Sequence, residues 1–307
     1  MLMTKKNKRN SEARAWLRRT LATAVTVLAS VASMMAMPAA HDSDDSLRVE
    51  RPVASFFMAE VGSASVIDTY LAPVAFKGVD ARLEYERMQA MRFDPQRWVM
   101  QMHAGVEYGN LHNKPGNHTE HMLMVDYRWG MMRRWSNVLT PNLQAAVGGS
   151  TQLRGGAVYK PSNSNNLISA KIHWAVSLTA MASYKWRVAK MPVVISYQAT
   201  LPVAGVFFSP EYGETYYEIY LGNHSGLAHF GWWGSRFDMT NALMADMHLG
   251  STVLRVGYRN TIERSWVNNL DTQIVTHMAV IGVGGEWISL GGNKPNGEKA
   301  RIISAMY

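Results

Sequence analysis

An imidazole stands beside a hydroxyl in the run Asn223-His224-Ser225-Gly226. A histidine able to take the proton of a serine hydroxyl is the core of acyl-transfer chemistry. His224 and Ser225 are therefore the candidate catalytic pair if the chain is a membrane-embedded hydrolase of lipid or lipid A. Neighbouring residues of a strand point to opposite faces, so the two cooperate only in a loop; as an exposed polar loop the same run needs no chemistry. His173 and Ser177 share a face of an extended chain but lie about 13 Å apart along it, too far for a direct dyad. His118 and His121 flank Glu120, and without a third strong ligand they make no metal site. Neither a Gly-x-Ser-x-Gly elbow nor a His-Glu-x-x-His helix motif occurs, and no cofactor is expected.

A second set is larger and of mixed sign: Arg82, Glu84, Glu86, His103, Glu107, Asp126, Arg128, Lys171, His173, Arg236, Asp238, Asp246, Arg255, Arg259 and His277. Each sits on the polar side of an alternating segment. In a barrel such residues line the lumen, where mixed charges fill and stiffen the interior as ion pairs. A strongly selective channel would instead gather one sign at a constriction.

The segments that must position them are strands. From Ile168 to Trp186 every even-numbered residue is apolar, while the odd positions carry Ser169, Lys171, His173, Ser177, Thr179, Ser183 and Lys185. Strands of soluble domains usually run about five or six residues, whereas a tilted strand crossing a bilayer needs roughly ten. The same alternation marks Met100 to Tyr108, Leu123 to Met131, Val193 to Leu201 and Phe237 to Met247, with weaker candidates at 81–92, 142–153, 214–222, 251–262 and 272–286. Short links at Phe93 to Gln96, Arg187 to Lys190 and Gly250-Ser251 should share the periplasmic side. Placing them there requires a further strand near Leu227 to Trp233 and another within Ala54 to Leu71. The expectation is a closed antiparallel transmembrane β-barrel of about 12 strands, within a range of 10 to 12. Across Gly250-Ser251 the parity of the apolar positions flips, as a two-residue hairpin loop demands, which pairs Asp246 with Arg255 as a cross-strand ion pair.

Lys5, Lys6, Lys8, Arg9, Arg14, Arg18 and Arg19 precede an apolar stretch from Leu21 to Met37 that ends in Pro38, Ala39 and Ala40, the three parts of a secretory signal peptide. The expected organisation is a signal peptide over 1–40, a periplasmic segment or first strand over 41–64, the barrel over 65–290 and a tail over 291–307. Most of the net charge of +8 belongs to the leader, which leaves 24 basic and 22 acidic residues beyond it. That balance, with no basic run bearing interleaved aromatics, excludes nucleic acid as a partner. The absence of cysteine excludes disulfides and a lipidated cysteine anchor. Outer-membrane lipid and a small polar solute are the expected partners, in the outer membrane of a Gram-negative bacterium. The expected function is a small channel or a structural or binding barrel, the lipid hydrolase being the alternative.

Thr69-Tyr70-Leu71-Ala72-Pro73, then Phe76, Gly78 and Leu83-Glu84-Tyr85-Glu86-Arg87, resemble the opening of an uncharacterised outer-membrane family of Bacteroidetes, domain of unknown function 3316. The resemblance implies a signal peptide and a barrel, and brings no substrate, reaction or catalytic residue with it.

Overall fold

The protein is described by a computed structural model covering residues 48–164, 166–188, 191–223, 225–287 and 300–306. The expected signal peptide over 1–40 and its cleavage site lie outside the described residues. A short strand, β1 (Arg48–Glu50), precedes β2 (Val53–Asp68), β3 (Ala72–Ala90), β4 (Trp98–Asn113), β5 (Thr119–Ser136), β6 (Leu143–Tyr159), β7 (Ile168–Val188) and β8 (Met191–Phe208). Then follow a one-turn helix α1 (Tyr216–Tyr220), β9 (Ala228–Gly231), β10 (Arg236–Leu249), β11 (Thr252–Val267), β12 (Leu270–Trp287) and β13 (Ala300–Ile302). Among the described residues no helix is long and apolar enough to cross a membrane. The spanning is done by strands, which satisfy each other's backbone groups only if the sheet closes.

It closes with ten strands. Neighbours from β2 to β8 pair in sequence, β10 pairs with both β8 and β11, and β12 returns to β2 along its whole length, from Trp287↔Val53 to Thr272↔Asp68. The barrel therefore begins at Val53, ahead of the expected boundary at residue 65. The expected strand within Ala54 to Leu71 is β2. The one near Leu227 to Trp233 is β9, which extends the β10 edge against the end of β8 instead of adding a wall strand. The segment 214–222, expected as a strand, holds α1: Thr215 caps it and Glu218 returns the bond to the Thr215 N–H, a capping box spelled Thr-x-x-Glu in the sequence. Parity is thus restored by removing one strand, not by inserting one. The β3–β4, β7–β8 and β10–β11 connections do share an end. The long connection 209–235 marks the opposite end as the outer one.

The hairpin register is the expected one, with Leu249↔Thr252, Met247↔Leu254 and Asp246↔Arg255. Gly250 has φ +74° and Ser251 is not left-handed, which places glycine first in the loop as a type II′ turn requires.

Faces follow parity. On β7 Trp174, Val176 and Leu178 are exposed, while His173, Ser177 and Thr179 are buried in the interior. The outward aliphatic and aromatic side chains form the belt that meets lipid. The interior is apolar at both ends. Phe56, Met58, Met88, Val99 and Met132 pack with Ala305 and Met306 of the C-terminal segment at the periplasmic end. Phe76, Leu111, Met122, Met124, Val158 and Ile274 pack with Tyr70 and Tyr216 at the outer end. Below the barrel β1 and β13 pair in parallel, and the Arg134 guanidinium donates to the Ser304 carbonyl at 2.6 Å, holding that segment in place.

Candidate functional site

Between the two apolar clusters the interior is charged. Every second residue of a strand faces inward, so Arg82, Glu84 and Glu86 of β3, His103 and Glu107 of β4, Asp126 and Arg128 of β5, and Arg255 and Arg259 of β11 converge from separate staves of the wall. All of these are buried or nearly so. Arg82 donates to Glu84 at 2.6 Å, to Glu107 at 3.2 Å and to Asp126 at 2.5 Å. Arg259 binds Glu84 and also lies 3.2 Å from Glu60. His103 Nδ1 meets Glu84 at 2.9 Å, and Gln101 donates to Glu86 at 2.6 Å.

The pairs join into one ladder. Arg255 holds both oxygens of Asp246, at 2.7 and 2.8 Å, and also binds Glu86. Towards the outer end Arg154 bridges Glu107 at 3.2 Å, Asp126 at 3.3 Å and Glu263 at 2.9 Å. Arg236 continues from Glu263, at 3.3 Å, to Asp238 at 2.6 Å and to His173 Nδ1 at 3.1 Å. An arginine only donates, so Nδ1 of His173 accepts and the ring is the neutral Nε2–H tautomer. Lys171 closes on Asp68 at 2.7 Å near the outer rim. Arg128 spans the lumen to the Thr200 hydroxyl at 3.4 Å, beside a cavity of about 50 Å³ bordered by Gln198, Thr240 and Arg259. That room suits a few waters and no sugar-sized solute.

Fourteen of the fifteen expected lumen residues are thus inside. His277 is not: it is exposed on the outer face, where its Nδ1 meets the Tyr258 hydroxyl at 2.6 Å. The reason is parity. On β12 the inward positions are the even ones, filled by Ile274, Thr276, Met278 and Val280, so an odd-numbered histidine faces lipid. Sequence reasoning also missed interior charges that the ladder uses, namely Glu60, Arg154 and Glu263, together with the buried Asp80. Glu60 lies on a strand whose inward face is mainly apolar or glycine, which blurs the alternation, whereas Asp80, Arg154 and Glu263 fall one residue beyond the expected spans 81–92, 142–153 and 251–262.

The remaining candidates do not converge. Glu120 is buried inside, while the His121 ring stacks outside between Tyr108 and Tyr159. Ser225 is exposed in the outer connection and donates to Asn223 at 3.3 Å; His224 lies outside the described residues. At the outer mouth the Tyr70 hydroxyl donates to the Glu214 carbonyl at 2.8 Å, and the Tyr216 hydroxyl accepts from the Ala170 N–H at 2.7 Å. Burial, helped by nearby acidic groups, pushes both phenols above their ordinary range.

The profile of a family described as "Protein of unknown function (DUF3316)" matches residues 23–294. No curated relative matches. Among solved structures, the outer membrane protease OmpT from Escherichia coli is 8% identical with a TM-score of 0.39, over 80% of this chain and 99% of that one. The transport unit of the autotransporter AIDA-I from Escherichia coli is 9% identical at 0.36, over 82% and 93%. The translocator domain of the autotransporter NalP from Neisseria meningitidis is 8% identical at 0.35, over 87% and 98%.

Proposed function

We propose, from the premise that the chain belongs to the DUF3316 family, that it is an outer-membrane barrel which binds at its interior and outer mouth and does not conduct. One observation carries this reading: a continuous ladder of ion pairs fills the mid-interior, with an apolar cluster packed above it and another below. A hydrated ion crossing the barrel would have to part buried pairs, each costing about 3–5 kcal/mol to break, and to pass two ends where apolar side chains are packed. Conduction needs sites that are entered and left easily. The outer-membrane address is supported by the lipid-facing exterior of a closed barrel, one of the two structures a bilayer tolerates.

Planar-bilayer recording tests it. The purified protein should give no steady conductance, and Glu84→Ala together with Met58→Ala and Met122→Ala, which thins the ladder and both clusters, should leak. Steady ohmic conductance from the unmodified protein would overturn the reading.

A further inference from the structure

The barrel wall has a gap. β8 pairs with β10 through Val193 to Thr200 and with β9 through Gly205 to Phe208, so residues 201–204 have no ladder partner on that edge. Pro202 lies in the gap, without an N–H to offer, and on the other edge Val203 is skipped in the pairing with β7. Opposite, Arg236 to Met239 pair only with β11, and the turn 232–235 projects outward. The hydrogen bond that crosses the gap runs from the Trp233 indole to the Pro202 carbonyl at 2.7 Å. Side chains at one continuous cavity run from Trp232, Val206 and Trp174, exposed on the lipid side, past Pro202 to His173 and Asp238 inside.

The chemistry at the two ends differs. The mouth is aromatic and aliphatic, at the depth where tryptophan rings mark the membrane interface. The floor carries Asp238, buried, whose Oδ2 takes the Arg236 guanidinium while its Oδ1 has no hydrogen-bond partner. An orphaned carboxylate oxygen is costly unless a donor reaches it. Beside it stands the neutral His173 ring.

We propose that this gap is a lateral port through which a single-chain lipid with a hydroxyl-bearing head enters from the outer leaflet. The head docks inward, its hydroxyl donating to Asp238 Oδ1, while the acyl chain stays against Trp232 and Val206. The free volume is about 20 Å³, room for one water, so entry moves the turn 232–235 aside. That movement breaks no ladder bond of β8. The inference extends the binding reading above to a ligand class and does not depend on whether the barrel conducts.

The test is photo-cross-linking in vesicles with a diazirine-bearing monoacylglycerol, mapped by mass spectrometry. Labelling should saturate, concentrate in 201–207 and 229–239, and be competed by unlabelled monoacylglycerol. Ala204→Trp, which fills the mouth, should reduce it at least tenfold, and Asp238→Ala should weaken half-saturation by about tenfold. Leu249→Trp at the distant hairpin should change nothing, and heat-modifiable migration verifies that each variant folds; Val203→Phe replaces Ala204→Trp should that one not fold. Labelling spread evenly along the lipid-facing strands without saturation, or unchanged in the mouth variants, would overturn the port. Conductance in the same preparation would overturn the sealed-barrel reading alone.

Discussion

Arg255 carries the periplasmic end of the ladder, and replacing it should be disproportionately costly. Its Nε and Nη2 supply both hydrogen bonds of Asp246, its Nη1 binds Glu86, and its guanidinium lies 3.7 Å over the Phe56 ring. In Arg255→Met, Glu86 keeps Gln101, at 2.6 Å, whereas Asp246 is left as a buried charge with neither of its donors. Stranding one member of a buried pair costs about 3–5 kcal/mol. Asp246→Ala differs, because no carboxylate is stranded and the guanidinium of Arg255 stays on Glu86; the net loss is about 1.5–3 kcal/mol, the order of one charge-assisted bond. The double variant should fall short of the sum by about 1–3 kcal/mol, since Asp246 is no longer present to be stranded. Guanidinium unfolding of the lipid-reconstituted protein, followed by tryptophan fluorescence, reads all three values from midpoints at constant slope. Had the pair been hydrated, as a lumen-facing cross-strand pair is expected to be, about 0.2–1 kcal/mol would have been at stake. A cost for Arg255→Met no greater than for Asp246→Ala, or strict additivity, would refute the argument.

Leu178, half exposed at the middle of β7, should tolerate Phe but lose about 2–4 kcal/mol on substitution by Arg, measured by the same unfolding assay. Gly250→Val should cost about 1–2 kcal/mol because φ +74° is left-handed, and Gly250→Asn should cost less. Tyr70 and Tyr216, raised above the ordinary 10.0, hold their protons longer in the folded protein than in the unfolded one. Their stabilising contribution is therefore complete below the unfolded value and lost as pH climbs through the folded one. An ultraviolet titration should show a late-ionising component that Tyr70→Phe and Tyr216→Phe remove.

What the sequence displayed was determined by which face a stretch buries. β7 alternates cleanly because its interior neighbours are polar, Ser177 with Thr179 and His173, against an apolar exterior. β2 hides because it buries Phe56, Met58 and Val66 inward in the apolar clusters while Phe57 and Val61 face lipid, so both faces are apolar and the period-two signal vanishes. The helix at Tyr216 was legible in Thr215-x-x-Glu218, yet Tyr-Tyr-Glu-Ile-Tyr also suits a strand, and β-propensity won. For the ladder, parity located most members on their strands, but which arginine meets which carboxylate depends on the curvature that brings β3 within reach of β11 past β2 and β12. No spacing along the chain encodes that distance.

The clasp beneath the barrel has a consequence for the order of folding. β1 and β13 join chain segments some 250 residues apart, and closing so long a loop is entropically unfavourable at the outset. Once β12 has zipped onto β2, the same contact spans only the short stretches after Glu50 and before Ala300. Met306 then has a finished cylinder to enter, and Ile303 donates to the Glu50 carbonyl at 2.9 Å. Protease resistance of the C-terminal segment is therefore a clock for completion, acquired after the first and last staves meet and lost before they separate.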